Sequence, residues 1–256
     1  MKNDTVTSLY RYTTAERAIC VLTSMRIFFP KTVRFNDPFD CAIHFDPEIT
    51  AAELIQSSFL TYQAQGHNWP SIKRILDQWI QEDGTVKKEK REEMLRVARE
   101  FAEKNAEMGV LSLSETPLSP LMWAHYADMH RGVCLGFLRN PANALGDDGI
   151  TSPVSYSDIY PRVRFSEILK RDGSIHQKLF FTKAREWAYE REWRLLTDKG
   201  DECKGVPGEV CEVLLGCRID PAHAEAIARI CAPIGIVVSD CEAVPRKFEY
   251  RRNPKT

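Results

Sequence analysis

Residues 183–196 read KAREWAYEREWRLL and concentrate groups able to do chemistry: three glutamates, two tryptophans and four basic residues. A helix would set Glu186 and Glu190 four apart, but its apolar set (Trp187, Tyr189, Trp193, Leu195, Leu196) forms no single stripe. From Ala188 onward a strand sorts the residues better. Tyr189, Arg191, Trp193 and Leu195 share one face, and Glu190, Glu192, Arg194 and Leu196 share the other. The segment therefore reads as helix or loop to about Trp187, then strand. Glu190 and Glu192 would stand about 6.5–7 Å apart on one face. Such a pair suits catalysis: one carboxylate orients a substrate hydroxyl while the other stabilises a developing cation. The competing reading is a solvated face with cross-strand ion pairs, each worth a few tenths of a kcal/mol.

A second cluster is LMWAHYADMHRGVCLGF, residues 121–137. On a short helix over 119–130, His125 and Asp128 share one face and Met122 and Tyr126 another. Tyr126 is placed to stack on a planar ligand ring, though Met122, Trp123 and Tyr126 equally suit a core. His130 lies five residues from His125, off the spacing of metal-binding helices. Asn36-Asp37-Pro38 is strong turn chemistry; Asn36 and Asp37 either line a site or only form that turn. Eight cysteines include no C-x-x-C pair and point to reduced thiols. Cys41 and His44 make half a metal site without a matching second half. No Rossmann or Walker glycine loop, G-x-S-x-G elbow or nucleic-acid signature is present.

The elements that must position these groups are set by pattern. SLYRY is a strand, TTAERAICVLTSM a capped helix and RIFFP a second strand. Residues 50–107 look helical, clearest at KKEKREEMLRVAREFAEKN, and read as an insertion. VLSLSE (110–115) and GVCLGF (132–137) are strands, with a loop over 139–153. A helix is expected over 162–182, with a break at Gly173. Strands at 209–216 and 235–240 flank a helix capped by Asp220, and AVPRKFEY reads as a last edge strand. These elements predict one α+β domain spanning residues 1–256, with a mixed sheet core and a helical insertion at about 50–107. The 256 residues are 43% hydrophobic and 28% charged, with net charge −1, which gives no support for bulk electrostatic binding to nucleic acid or membrane. The lack of a signal-like or spanning apolar run leads to the expectation of a soluble, cytoplasmic protein.

LYRY, FNDPFD, LSLSE with LMWAHYADMHRGVCLGF, and EWAYEREWRLL, in that order, resemble a bacterial and phage-associated family of unknown function. Its pattern is L-Y-[KR]-Y, F-N-D-P-F, M-W-x-x-Y-x-x-x-H-x-G and W-x-x-E-x-E-x-R. The segment order is more remotely similar to ADP-ribosyltransferases, especially toxins that modify nucleic acid. That resemblance implies NAD as co-substrate, an acceptor that is nucleic acid or protein, and a toxin or phage-defence role. It makes Glu192 the catalytic carboxylate and Glu190 the first member of E-x-E. Arg11, beside Tyr10, would hold NAD phosphate or ribose oxygens. Ser112 or Ser114 with Tyr126 would stand for the middle motif, with His125, Asn36 and Asp37 as further cofactor-binding candidates. The middle motif departs from the transferases, S-L-S-E in place of S-T-S, and Glu212 before an apolar strand is a rival for the catalytic carboxylate. Two other readings stay open. One is a non-catalytic nucleotide or partner sensor anchored by Trp123, Trp187 and Trp193. The other is a hydrolase or nuclease with Asp37, Asp40, Glu190 and Glu192 around a divalent ion.

Overall fold

The computed structural model describes residues 6–42, 50–170 and 174–254. His44, half of the expected metal pair, and the break expected at Gly173 lie outside the described residues.

Strand β1 (Ser8–Thr13) shows how the chain divides its side chains. Leu9 enters one hydrophobic layer, while Tyr10 and Tyr12 enter another across the sheet. Thr14 then accepts from the Arg17 amide and starts α1 (Ala15–Ser24), which leads into β2 (Arg26–Phe29). The expected helical block forms as α2 (Ala51–Ala64), α3 (Trp69–Trp79) and α4 (Lys88–Ala106). It carries its own cluster of Leu54, Ile72, Leu76, Val86 and Met94. Next come β3 (Gly109–Ser114), α5 (Pro120–Tyr126) and β4 (Val133–Leu138). The short strands β5 (Thr151–Pro153) and β6 (Ser155–Ser157) precede helices α6 (Phe165–Lys170) and α7 (Ser174–Phe180). The chain continues through β7 (Thr182–Ala184), β8 (Glu192–Thr197), β9 (Glu202–Gly205) and β10 (Val210–Leu215). It ends with α8 (Pro221–Cys231), β11 (Val237–Ala243) and β12 (Tyr250–Pro254).

The fold is α+β around a mixed eight-stranded sheet ordered β12-β11-β10-β4-β1-β3-β8-β5. Of its pairings only β10 with β11 is parallel. One face buries Leu9, Leu111, Leu113, Leu135, Phe137, Trp193 and Val213 with α1 and α8. The other packs Tyr10, Tyr12 and Cys134 with Met122 and Trp123 of α5, and Val110 and Leu196 with α7. The joint between β1 and β3 is unlike its neighbours. These strands meet at a single register pair, Tyr10 with Ser114, whereas β1 with β4 and β3 with β8 pair along their lengths. The sheet is split there, and the split is where a cleft opens.

Several expectations need correction. The helix expected over 119–130 ends at Tyr126, because Asp128, Met129 and His130 all take left-handed backbone (φ 45, 50 and 69). That reversal returns the chain tightly onto β1: a Cβ on Gly132 would lie 2.2 Å from the Thr13 carbonyl oxygen. His125 and Asp128 thus do not share a helical face, and Asp128 pairs with Arg131 at 3.0 Å. The strand expected from Ala188 starts at Glu192, after a 3₁₀ helix over Arg185–Glu190 that Arg191 closes in left-handed backbone. The helix expected through 182 ends at Phe180 and yields to β7. Strand β5 begins inside the expected 139–153 loop, and β6 and β9 arise without a hydrophobic alternation long enough to announce them. The last edge strand lies at Tyr250–Pro254 rather than on AVPRKFEY, whose Pro245 sits in the turn before it. Among the described residues no helix is long and apolar enough to cross a membrane.

Candidate functional site

The cleft has a volume of about 840 Å³, and both halves of the split sheet line it. Arg11 and Tyr12 come from β1, Ser112 from β3, His125 and Tyr126 from α5, and Lys183, Trp187, Glu190 and Glu192 from the stretch around the 3₁₀ helix. Arg11 bridges the split by donating to the Ser112 carbonyl at 2.7 Å. Where the ladder between β1 and β3 has lapsed, a guanidinium supplies the missing donor.

Glu190 and Glu192 do converge, by a route other than one strand face. The left-handed Arg191 turns the chain between them, and both carboxylates reach the Lys183 ammonium, at 2.6 Å from Glu190 and 3.0 Å from Glu192. Asp40 lies 3.4 Å from the same nitrogen. Arg194 closes the network from behind. Its Nε and Nη2 donate to the two Glu192 oxygens at 2.8 and 2.9 Å, and Nη2 also donates to Asp40 at 2.6 Å. Its remaining bonds go to the Phe180 carbonyl and the Cys41 sulfur, at 2.7 and 3.0 Å. Asp40, Lys183, Glu190, Glu192 and Arg194 are all buried. The expected solvated face is therefore a closed ion-pair network, and among the described residues no buried side-chain nitrogen or oxygen lacks a partner.

The two glutamates differ in environment, and this separates their acidities. Burial tends to raise Glu192, but attraction and hydrogen bonding from Arg194, with help from Lys183 and the Ser112 hydroxyl, hold it down at about 2. Glu190 faces the cleft with less support, and burial pushes it above the ordinary carboxyl value despite Lys183. Tyr126 donates to Glu190 at 2.5 Å. Burial alone would lower Lys183, but Glu192, Glu190 and Asp40 outweigh it and keep the ammonium charged. Burial, with Glu192 opposing and Arg17 adding like-charge repulsion, lowers Arg11.

The remaining candidates divide. Ser112 lines the cleft, and its hydroxyl supports Glu192. Ser114 is buried beneath it, its hydroxyl donating to the Glu190 carbonyl at 2.7 Å, so it braces the backbone. His125 and Asn36 line the cleft. Asp37 caps the local turn by accepting from the Phe39 amide at 2.9 Å. The Tyr10 ring borders the cleft, but its hydroxyl donates to Glu212 at 2.9 Å and accepts from Arg252 at 3.0 Å. Glu212, the rival carboxylate, is thus committed to Tyr10 and Arg252 and is not among the cleft-lining residues.

Lys183 was absent from the expected site, and Asp40 was expected only as a ligand in the divalent-ion reading, not as a partner of Lys183 and Arg194. Lys183 opens KAREWAYEREWRLL and Asp40 ends FNDPFD, but no spacing rule links residues 143 positions apart in sequence (183 against 40).

A family model described as "Protein of unknown function (DUF2971)" matches residues 122–195. The matched segment runs from α5 through most of β8 and includes Tyr126, Lys183, Glu190, Glu192 and Arg194; Arg11 and Asp40 fall outside it. No curated protein and no solved structure matches the chain.

Proposed function

We propose that the cleft cleaves the nicotinamide–ribose bond of NAD and transfers ADP-ribose to an acceptor, as the ADP-ribosyltransferases do that the segment order resembles. The observation that supports this is convergence: Arg11, Ser112 with Tyr126, and Glu190 with Glu192, far apart in sequence, line one cleft. Its volume suits a dinucleotide-sized ligand, being within the range of about 300–1,000 Å³ usual for ligand sites.

In this reading nicotinamide leaves with the bonding electron pair and positive charge develops at ribose C1′. Glu192, ionised and immobilised by Arg194, supplies a fixed negative charge for that centre. Glu190 has the raised pKa of a proton acceptor, and it takes the proton as the acceptor oxygen or nitrogen attacks C1′. Tyr126 orients Glu190 through its hydroxyl rather than serving as a stacking surface. Arg11 and the neighbouring Arg17 offer charge for the diphosphate. The test is release of free nicotinamide from NAD by wild type, Glu190→Gln and Glu192→Gln, with folding checked by circular dichroism. Release by wild type and loss in both variants by about 10²-fold or more is expected. Folded variants that turn over as fast as wild type would remove the assignment.

A second reading, a binding module without chemistry, draws on the completeness of the ion-pair network, which among the described residues leaves no buried polar side-chain atom unsatisfied. Calorimetric binding of NAD with no product formed would favour it. The divalent-ion hydrolase finds less support. The Lys183 ammonium already bridges Asp40, Glu190 and Glu192, where a metal would have to sit.

A further inference from the structure

The cleft carries more positive charge than its own carboxylates use. Asp40, Glu190 and Glu192 are committed to Lys183 and Arg194. Four further arginines line the opening: Arg11, Arg17, Arg26 and Arg34. Arg34 is paired with Asp201 at 2.6 Å. Arg26 is held by the Cys203 carbonyl, a bond that leaves its positive charge unneutralised, while Arg11 is held by the Ser112 carbonyl and is also attracted by Glu192 without forming an ion pair. Among the described residues Arg11, Arg17 and Arg26 form no ion pair with a carboxylate. Arg17 and Arg26 are exposed. A chain of net charge −1 has nonetheless gathered unneutralised guanidinium groups at one opening. Arg17 is close enough to Arg11 to lower its affinity for a proton.

His125, Tyr126 and Trp187 line the same cleft, and Tyr189 packs between His125 and Trp187. The Trp187 and Tyr189 rings lie 6.1 Å apart, Tyr189 and His125 6.2 Å, and His125 and Tyr126 6.2 Å. None of the four is fully buried, and Tyr126 leads directly to Glu190. Unpaired cations beside partly exposed rings form the two-part surface that binds single strands, in which phosphates track the charge and bases lie on the rings. A duplex keeps its bases stacked inside and cannot use the rings.

We propose that this opening binds single-stranded nucleic acid, with phosphates along Arg11, Arg17 and Arg26 and a base against the His125–Tyr189–Trp187 rings. That the bound strand is the acceptor for ADP-ribose rests on the proposed transferase activity; its binding does not.

The test is fluorescence anisotropy, without NAD, of labelled single-stranded DNA and RNA of about 12 nucleotides against the matching duplex. The full chain is used at salt between roughly 50 and 200 mM. Single strands should bind more tightly than duplex. Three phosphate contacts predict a slope of log affinity on log salt of about −2, or about a twentyfold loss across that range. Arg17→Glu changes an exposed side chain and should weaken binding about tenfold while flattening the slope by about 0.7. Trp187→Ala should weaken binding by about tenfold with the slope unchanged. Equal binding by Arg17→Glu and wild type, preference for duplex, or binding of ADP and NAD with none of the oligonucleotides would each overturn the proposal. Oligonucleotide binding without NAD cleavage would leave it standing and remove the transferase reading. Cleavage without oligonucleotide binding would do the reverse.

Discussion

Replacing Lys183 by Met tests whether the buried network depends on its central cation. The ammonium touches Glu190, Glu192 and Asp40 at 2.6, 3.0 and 3.4 Å. Methionine keeps the length and apolar stem but leaves Glu192 and Asp40 to Arg194 and Glu190 to the Tyr126 hydroxyl. Removing one partner of a buried pair costs about 3–5 kcal/mol, because the other charge is left without compensation. The folded variant can lessen this by binding a proton, and Glu190, already raised by burial, is the group to take it. A carboxyl raised in the folded state contributes stability that is lost as pH rises through its folded value and regained as pH falls toward the unfolded value. One proton corresponds to about 1.4 kcal/mol per pH unit. The loss should therefore be largest at neutral pH and smaller at a pH near 5. Urea denaturation monitored by tryptophan fluorescence reads it at both pH values. Adding Glu190→Gln to the variant removes one negative charge and should restore most of the loss, with the two changes strongly non-additive. A loss below about 1 kcal/mol, or one unchanged between the two pH values, would refute the closed-network account.

Glu192→Gln should cost about 3 kcal/mol at neutral pH, since a carboxyl moved from 4.5 to about 2 carries that much pH-dependent stability. The depressed value puts this stability above about pH 4.5, so acid unfolding should show the wild-type advantage fading as pH falls toward 2. Tyr126→Phe removes a bond that lowers Glu190, so in the proposed transferase reading the acid-side midpoint of NAD cleavage should move up, read from a pH–rate profile. Gly132→Ala would drive a Cβ into the Thr13 carbonyl oxygen and should lower stability by about 1–3 kcal/mol, seen as a reduced Tm.

Where a local pattern dictated structure, the sequence was readable. Thr14 and Asp220 cap α1 and α8 as side-chain acceptors, and the charged 88–106 helix keeps Met94 and Ala98 buried at helical spacing. What resisted reading was set by contacts distant in the chain. Strands β2 and β9 pair with each other across about 175 residues (residue 29 against 202), and β9 has no alternation strong enough to declare itself. The α5 helix stops early because Asp128–His130 adopt left-handed backbone to reach β4, a cost met by the fit around Gly132. The E-x-E pair was visible as a pair, but its surroundings were not. A period-2 pattern predicts which face a side chain takes, and it says nothing of the lysine or aspartate folded against that face.

Those surroundings decide what the pair can do. Three carboxylates pair with two buried cations, Lys183 and Arg194, and the third cation nearby, Arg11, is attracted by Glu192 but forms no ion pair with any of the three. Glu190 is the member on which burial wins, while Glu192 gives its two oxygens to Arg194. A cation forming in the cleft would be drawn to these carboxylates. In the proposed transferase reading, a carboxylate about 4–5 Å from that cation at an effective dielectric near 20 would be worth about 4 kcal/mol, close to a thousandfold in rate. A neutral ligand would have no such gain. On the same reading, the carboxylates deep in the site and the arginines at its opening would together favour a ligand anionic at its phosphates and cationic where its bond breaks.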